Sequence, residues 1–154
     1  MNAKWILIGV AAIVILGIGY YAVSPLFIHI RANDALPQAV QTSATQQVPT
    51  EAVIAAPVNG SAGHPASGTA RIVQATDKSF LRYENFKTIN GPDLYVYLAA
   101  DLEAKDFINL GTLKATEGNV NYEIPAGVDV KKYHYALVWC KTFSVLFNSA
   151  DVSH

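Results

Sequence analysis

The fold of this chain is decided by the stretch Leu94-Tyr95-Val96-Tyr97-Leu98-Ala99. Aliphatic and aromatic residues alternate in it, and a period of two is typical of a β-strand that presents a different set of side chains on each face. The preceding residues, Asn90-Gly91-Pro92-Asp93, are all turn formers. We therefore predict a turn followed by a strand.

Six more segments downstream of residue 68 have the same character, and turn residues such as Glu117-Gly118-Asn119 and Pro125-Ala126-Gly127 separate them. Seven short strands with frequent turns predict an all-β antiparallel sandwich or barrel-like domain. The additional predicted strands are Thr69–Gln74, Phe80–Phe86, Phe107–Leu113, Val120–Ile124, Tyr133–Cys140 and Phe143–Phe147.

The N-terminus carries an apolar run without charge, Trp5–Val23. As a helix it is about 28 Å long, close to the thickness of a bilayer core. Trp5 at one end and Tyr20 and Tyr21 near the other suit the two membrane interfaces. We predict one transmembrane helix, with the lipid bilayer as the partner of residues 5–23.

A cleaved signal peptide is the alternative to this signal-anchor. Its core is normally about 7–15 residues long, shorter than this run. Pro25 follows the small-residue cleavage candidate Ala22-Val23-Ser24, which is a poor context for cleavage. Lys4 and the terminal amine favour a cytoplasmic N-terminus. The predicted localisation is the cell membrane, with a single pass and an extracytoplasmic C-terminal domain.

Composition divides the chain into three regions. Residues 1–31 are the anchor with its flanks. Residues 32–67 are rich in Pro, Ala and Gln and contain no Lys or Arg, which is typical of a flexible linker. Residues 68–154 are the β domain. Its charges are balanced and scattered, so they exclude a basic stripe and argue against nucleic acid as a partner.

Cys140 is the one cysteine of the chain. It is either a buried small hydrophobe at the end of an apolar strand or an accessible thiol. If Lys141-Thr142 is a two-residue hairpin loop, Cys140 pairs with Phe143 and faces the core, whereas a bulge reverses the faces. His134 lies about 20 Å from Cys140 along the strand, too far to share a metal ion. We predict no metal site.

Tyrosine and tryptophan are frequent in the β domain. With Cys140 inward, Trp139 and Tyr135 point outward. Together with Tyr95 and Tyr97 they form a predicted aromatic face that binds a planar or apolar ligand or relays electrons. The alternative is that these residues are present for their strand propensity.

Several motifs in order resemble the electron-transfer DM-thirteen domain. They are Asn90-Gly91-Pro92-Asp93-Leu94-Tyr95-Val96-Tyr97-Leu98, Leu110-Gly111-x-Leu113-Lys114, Gly118, Tyr122-x-Ile124-Pro125, Tyr133 and Val138-Trp139-Cys140-x-x-Phe143. The resemblance covers Gly68 to Val152, although the chain has Phe147-Asn148 where the family often has Phe-Gly.

The resemblance implies a β-rich extracytoplasmic domain with a redox function, of a kind found beside DOMON and cytochrome-b-type domains. It also implies that Cys140 is the redox thiol and that the partner is a membrane or envelope redox protein. No cofactor, electron donor or acceptor can be named from the sequence. A different hypothesis is a non-catalytic surface module that binds a partner or an envelope polymer through the aromatic face.

Overall fold

The computed structural model describes residues 3–24, 29–37 and 55–153. Within these ranges the chain forms one helix and ten strands. They are α1 (Ala3–Val23), β1 (Arg31–Asn33), β2 (Ala56–Pro57), β3 (Asn59–Gly60), β4 (Ala66–Ala75), β5 (Lys78–Thr88), β6 (Leu94–Ala99), β7 (Phe107–Thr112), β8 (Glu117–Ile124), β9 (Tyr135–Cys140) and β10 (Val145–Asp151).

The helix α1 contains the predicted apolar run. Its window Lys4–Tyr21 is long and apolar enough to cross a membrane, and none of that window is buried against other described residues. Large apolar side chains such as Leu16 and Ile13 are largely exposed, at 72% and 71%. The predicted N-terminal apolar helix is confirmed.

Two five-stranded sheets make up the remainder of the described chain. The first sheet has the order β1-β8-β5-β4-β2, and the second has the order β3-β10-β9-β6-β7. β1 and β8 run parallel, and the other strand pairs are antiparallel. The all-β prediction is confirmed, and all seven predicted strands have a counterpart among β4–β10.

The core lies between the two sheets because each sheet turns one set of alternating side chains inward. Leu81, Tyr83 and Tyr122 contribute from the first sheet, and Val96 and Val138 contribute from the second. This shared core makes the domain a sandwich. A second, smaller cluster covers the outer face of the second sheet, with Tyr97, Ala99 and Leu137 buried at its centre.

The hairpin after β9 differs from the two-residue loop considered for it. Cys140 pairs with Val145, so the loop comprises residues 141–144, and Phe143 lies exposed in it instead of opposite Cys140. Lys-Thr is a poor pair for a tight hairpin turn, because neither residue adopts positive φ readily. In the longer loop Ser144 adopts a φ of 52°. A bulge occurs after the loop, at Phe147 between Leu146 and Asn148.

Strands β1, β2 and β3 lie within or beside the interval 32–67 that composition assigns to a linker. β1 pairs with β8, β2 with β4, and β3 with β10. Strands of two or three residues are too short to show a periodic pattern, so composition does not reveal them. The sheets thus extend N-terminal of Gly68, while residues 38–54 of the predicted linker lie outside the described residues. The three-region division itself stays a prediction.

Candidate functional site

Strand β9 places two candidate residues on opposite sides of the second sheet. Cys140, with Ala136 and Val138, belongs to the core cluster, while Trp139 belongs to the outer cluster. Cys140 therefore faces the core, which is the orientation considered for a two-residue hairpin, although the loop comprises four residues. The register of β9 is fixed on both sides, by β6 and by β10, so the period of two is kept to the strand end.

The Cys140 side chain is only 1% exposed. Its backbone lies between Leu94 of β6 and Val145 of β10, both of which contact the core. The ammonium group of Lys141 lies on the other side of the sheet, 5.3 Å from the centre of the Tyr95 ring. Lys141 is therefore not placed to stabilise a thiolate at position 140.

The loop after Cys140 is fastened to the turn before β6. The Lys141 N–H donates to the Asp93 carbonyl (3.0 Å), and the Thr142 hydroxyl donates to the Asp93 carboxylate (2.7 Å). The tip residue Phe143 is 57% exposed. Cys140 is the last strand residue before this loop, so opening of the loop would free the strand end that carries it.

The four predicted aromatic residues share the outer face of the second sheet. Tyr95 lies opposite Trp139, and Ala99 lies opposite Tyr135. Tyr95, Tyr135 and Trp139 are partly exposed around the buried Leu137. The structure therefore brings the predicted aromatic face together but separates it from the Cys140 sulfur by the sheet.

Tyr97 has a different position from the other three. Its side chain is 2% exposed, and its ring stacks on Phe107 of β7 with centroids 4.2 Å apart. Burial raises the pKa of the Tyr97 hydroxyl, and the neighbouring Tyr95 and Asp93 raise it further. Tyr97 therefore forms the floor of the face, not its contact surface.

Three contributors to the aromatic face were absent from the sequence hypothesis: Phe107, Leu146 and Ala104. Leu146 lies opposite Trp139, and Phe107 lies opposite Ala99. The strand pattern of β7 and β10 is visible in the sequence, but pairing partners are not. Only the order β10-β9-β6-β7 brings these side chains to one face.

Two other tyrosines of the domain are core residues. Tyr83 and Tyr122 are buried, with ring centroids 6.1 Å apart in an edge-on arrangement. Burial raises the pKa of both hydroxyls, that of Tyr122 to about 12. Their frequency in the sequence thus reflects packing in part. Among the described residues, no group of three or more His, Cys, Asp or Glu side chains is placed to hold a metal ion.

Comparison with known proteins adds one positive finding. The family model described as Electron transfer DM13 matches residues 59–152. That range includes β4–β10, Cys140 and the whole aromatic face. Searches of curated proteins and of solved structures give no match. Because the matched range covers more than half of the 154 residues, the chain belongs to the Electron transfer DM13 family.

Proposed function

We propose that this protein is a membrane-anchored, extracytoplasmic electron-transfer domain whose redox group is Cys140. The observation that carries the proposal is the family match, which contains the one cysteine of the chain at the loop end of β9. A membrane or envelope protein is the electron donor or acceptor.

With a single cysteine, the thiol mechanism passes through a sulfenic acid and ends in a disulfide with another protein. The Cys140 thiolate attacks a peroxide O–O bond, which gives sulfenic acid and releases an alcohol or water. A second thiol then displaces the hydroxyl as water and forms a disulfide. Since the chain holds one cysteine, that thiol belongs to the partner, and the product is a mixed disulfide.

Burial of the sulfur sets the condition for this chemistry. The thiolate is the reactive species, and a side chain that is 1% exposed meets no reagent until the structure opens. Opening of the 141–144 loop breaks the contacts of Lys141 and Thr142 with Asp93 without unfolding β9. The proposed redox step is therefore gated by this loop.

A thiol-reactivity measurement on the native full-length protein tests the redox proposal. We expect Cys140 to react with a neutral thiol probe at pH 7, and with hydrogen peroxide, under conditions in which circular dichroism shows a folded domain. Cys140→Ser, matched by Cys140→Ala, should fold and lose electron-transfer activity. If the native thiol reacts with neither the probe nor hydrogen peroxide over hours, the direct redox role is overturned.

The anchor is tested separately. The apolar, exposed helix α1 supports retention in the membrane, and Lys4 at its start supports a cytoplasmic N-terminus. We expect the full-length chain to resist carbonate extraction and its β domain to be accessible to protease from the extracytoplasmic side. A mature N-terminus near Ser24 would show a cleaved signal peptide instead.

A second candidate function is binding through the aromatic face. It is favoured by the partly exposed Tyr95, Tyr135 and Trp139 around buried Leu137, a composition typical of binding surfaces. Trp139→Ala should weaken binding of an envelope polymer or partner and leave thiol reactivity unchanged. Phe143→Ala, an exposed aromatic residue outside this face, is the matched control.

A further inference from the structure

The chain enters the sandwich almost immediately after α1. Ile30 and Thr116 are joined through their backbones and through the Thr116 hydroxyl, with distances of 2.8–3.2 Å. β1 then pairs with β8 in parallel, with Arg31 opposite Glu117 and Asn33 opposite Asn119. The residues after the helix are therefore an edge strand of the first sheet.

A buried arginine secures the end of this segment. Arg82 is 5% exposed, and its Nη1 donates to the carbonyls of Asp34 and Ala35 (both 3.2 Å) and to Asn121 Oδ1 (2.8 Å). The Asn121 N–H donates to the Asp34 carboxylate (2.9 Å). A buried guanidinium without these acceptors would be costly, so the contacts hold residues 34–35 on the sheet.

The start of β1 marks one end of the sandwich. β8 starts at the same end because it is parallel to β1, and the antiparallel partner β5 ends there. Connections 89–93 and 113–116 lead from this end to the second sheet, where β6 and β10 start and β9 ends. The 141–144 loop, and Cys140 beside it, therefore lie at the end where the chain arrives from α1.

Chain length limits how far this end lies from the helix. Five residues, 25–29, lie between Ser24 and Ile30, and the six Cα–Cα steps across them span at most about 20 Å. We infer that β1 fixes the domain close to the bilayer, with the 141–144 end facing the lipid surface. The inference rests on the proposed membrane anchor and deepens it, because it names the lipid surface as the partner of this end.

The chemistry of the two ends agrees with that orientation. Phe143 at this end is 57% exposed, whereas the exposed large apolar residues Leu102 and Phe107 at the opposite end are 41% and 40% exposed. The connections at the same end as Phe143 contain two basic residues, Lys114 and Lys141, and one acidic residue, Asp93, so their net charge is positive. The connections at the opposite end are mainly acidic and are repelled by an anionic surface. They contain Asp77, Asp101, Glu103, Asp106 and Asp129 with Lys105, Lys131 and Lys132.

This arrangement changes the role of the proline-containing region. Residues 38–54 connect β1 to β2 within one domain, and they do not separate the domain from the membrane. The reach of the domain is set by residues 25–29 instead. The end of β9 that carries Cys140 then lies nearest the bilayer, which favours a redox partner that is itself in or on the membrane.

Energy transfer from labelled full-length protein to acceptor lipids tests the orientation. A donor dye is attached at Phe143→Cys or at Asp77→Cys, each in a Cys140→Ala background, and the chain is reconstituted in vesicles with anionic lipid. Position 77 lies at the opposite end of the sandwich, directly before β5, and β5 is about 33 Å long from Lys78 to Thr88. Transfer should be clearly stronger from position 143 than from position 77.

Two insertions test whether the domain is held near the bilayer by its attachment through β1 or hangs on a long tether formed by the proline-containing region. Each adds about 20 Gly and Ser residues, or roughly 25 Å of root-mean-square reach. Inserted before Ile30, they should lower transfer from position 143 and reduce its excess over position 77. Inserted after Thr45, they should leave both signals unchanged.

The outcomes are distinct. Equal transfer from both positions, or equal effects of the two insertions, would overturn the inference. Failure of the full-length chain to sediment with vesicles would overturn the proposed anchor itself. If Cys140→Ala does not fold, a photo-cross-linking residue at position 143 or 77, with Cys140 intact, gives the same comparison through lipid adducts.

Discussion

Thr116 and Ile30 hold each other by reciprocal hydrogen bonds across 86 residues of sequence. The Ile30 N–H donates to the Thr116 hydroxyl (3.0 Å), and the Thr116 N–H donates to the Ile30 carbonyl (2.8 Å). Thr116 is buried, so water does not compete for these bonds. The pair joins the segment after α1 to the start of β8.

Thr116→Val should lower the free energy of unfolding by about 1–2 kcal/mol, because the Ile30 N–H loses its acceptor while side-chain volume is kept. Urea denaturation measures this loss, and hydrogen exchange should show faster exchange of the Ile30 amide. Thr112→Val, at the exposed end of β7, is the control and should change neither. Unchanged exchange at Ile30 in Thr116→Val would contradict the role of the pair.

Gly118→Ala should destabilise the domain more than Gly111→Ala. Both glycines have a φ of 114°, so both substitutions carry the same backbone strain of about 1–3 kcal/mol. At Gly118 a Cβ would also lie 1.8 Å from the Ala32 carbonyl oxygen, whereas nothing lies within 4 Å of one at Gly111. Denaturation of both variants gives the difference.

The additional destabilisation by Gly118→Ala, compared with Gly111→Ala, should come from the contact with β1 alone. In a chain that lacks residues 1–36, Gly118→Ala and Gly111→Ala should therefore be equally destabilising. A persistent difference without β1 would mean that the Ala32 contact is not its cause.

Thr142→Val should accelerate modification of Cys140 by a thiol probe under native conditions. The substitution removes the hydrogen bond from the Thr142 hydroxyl to Asp93, so the loop opens more often. A loss of about 1 kcal/mol corresponds to a rate roughly fivefold higher if opening precedes reaction. The rate of Cys140 modification is measured by quenching the labelling reaction at a series of times and determining the labelled fraction by mass spectrometry.

Thr112→Val serves again as the control and should label at the wild-type rate. If Thr142→Val and wild type react equally while global stability is unchanged, access to Cys140 does not depend on this loop.

Stability should depend on pH through Glu84. Hydrogen bonds from Arg71 (2.9 Å), and then from Arg82 (2.8 Å), hold the pKa of the Glu84 carboxyl below its usual value despite the opposing effect of burial. A lowered folded-state pKa stabilises the fold above the unfolded-state pKa of about 4.3, and this stabilisation is lost as pH falls through the folded-state value.

Glu84→Gln should therefore be less stable than wild type at pH 7, and the difference should shrink at acid pH. Denaturation at both pH values measures it, and Glu103→Gln, in an exposed connection, is the control. A difference that stays constant between the two pH values would show that the carboxylate charge does not matter.

Local patterns in the sequence predict much of the sandwich. The alternation in Leu94–Ala99 and Tyr135–Cys140 reflects burial of one strand face and remains visible without any partner strand. It correctly predicts that Cys140 and Trp139 point to opposite faces of the sheet. The length and apolarity of Trp5–Val23 likewise predict α1 without reference to other residues.

The composition of a sheet face and the length of a hairpin loop depend on which strands pair and in what register. The sequence alone does not show this pairing. The outer face of the second sheet needed the order β10-β9-β6-β7 to bring Phe107 beside Tyr97 and Leu146 beside Trp139. The four-residue loop after Cys140 needed the register of Val145 on β9. Neither follows from local propensity, because a strand exposes the same pattern to any partner.

The sequence by itself determined an apolar N-terminal helix and an all-β domain, since each depends on the hydrophobicity and spacing of neighbouring residues. The face on which Cys140 lies was decided by the tertiary structure, because the pairing of β9 with β6 and β10 sets which of its faces is covered. Only the tertiary structure decided that Arg31–Asn33 is a strand of the first sheet. That strand is three residues long, too short for a periodic pattern. Gly118 lies opposite its central residue Ala32, while Thr116 binds Ile30 before the strand and Arg82 binds Asp34 and Ala35 after it. These contacts join residues far apart in sequence and exist only after the sheet has formed.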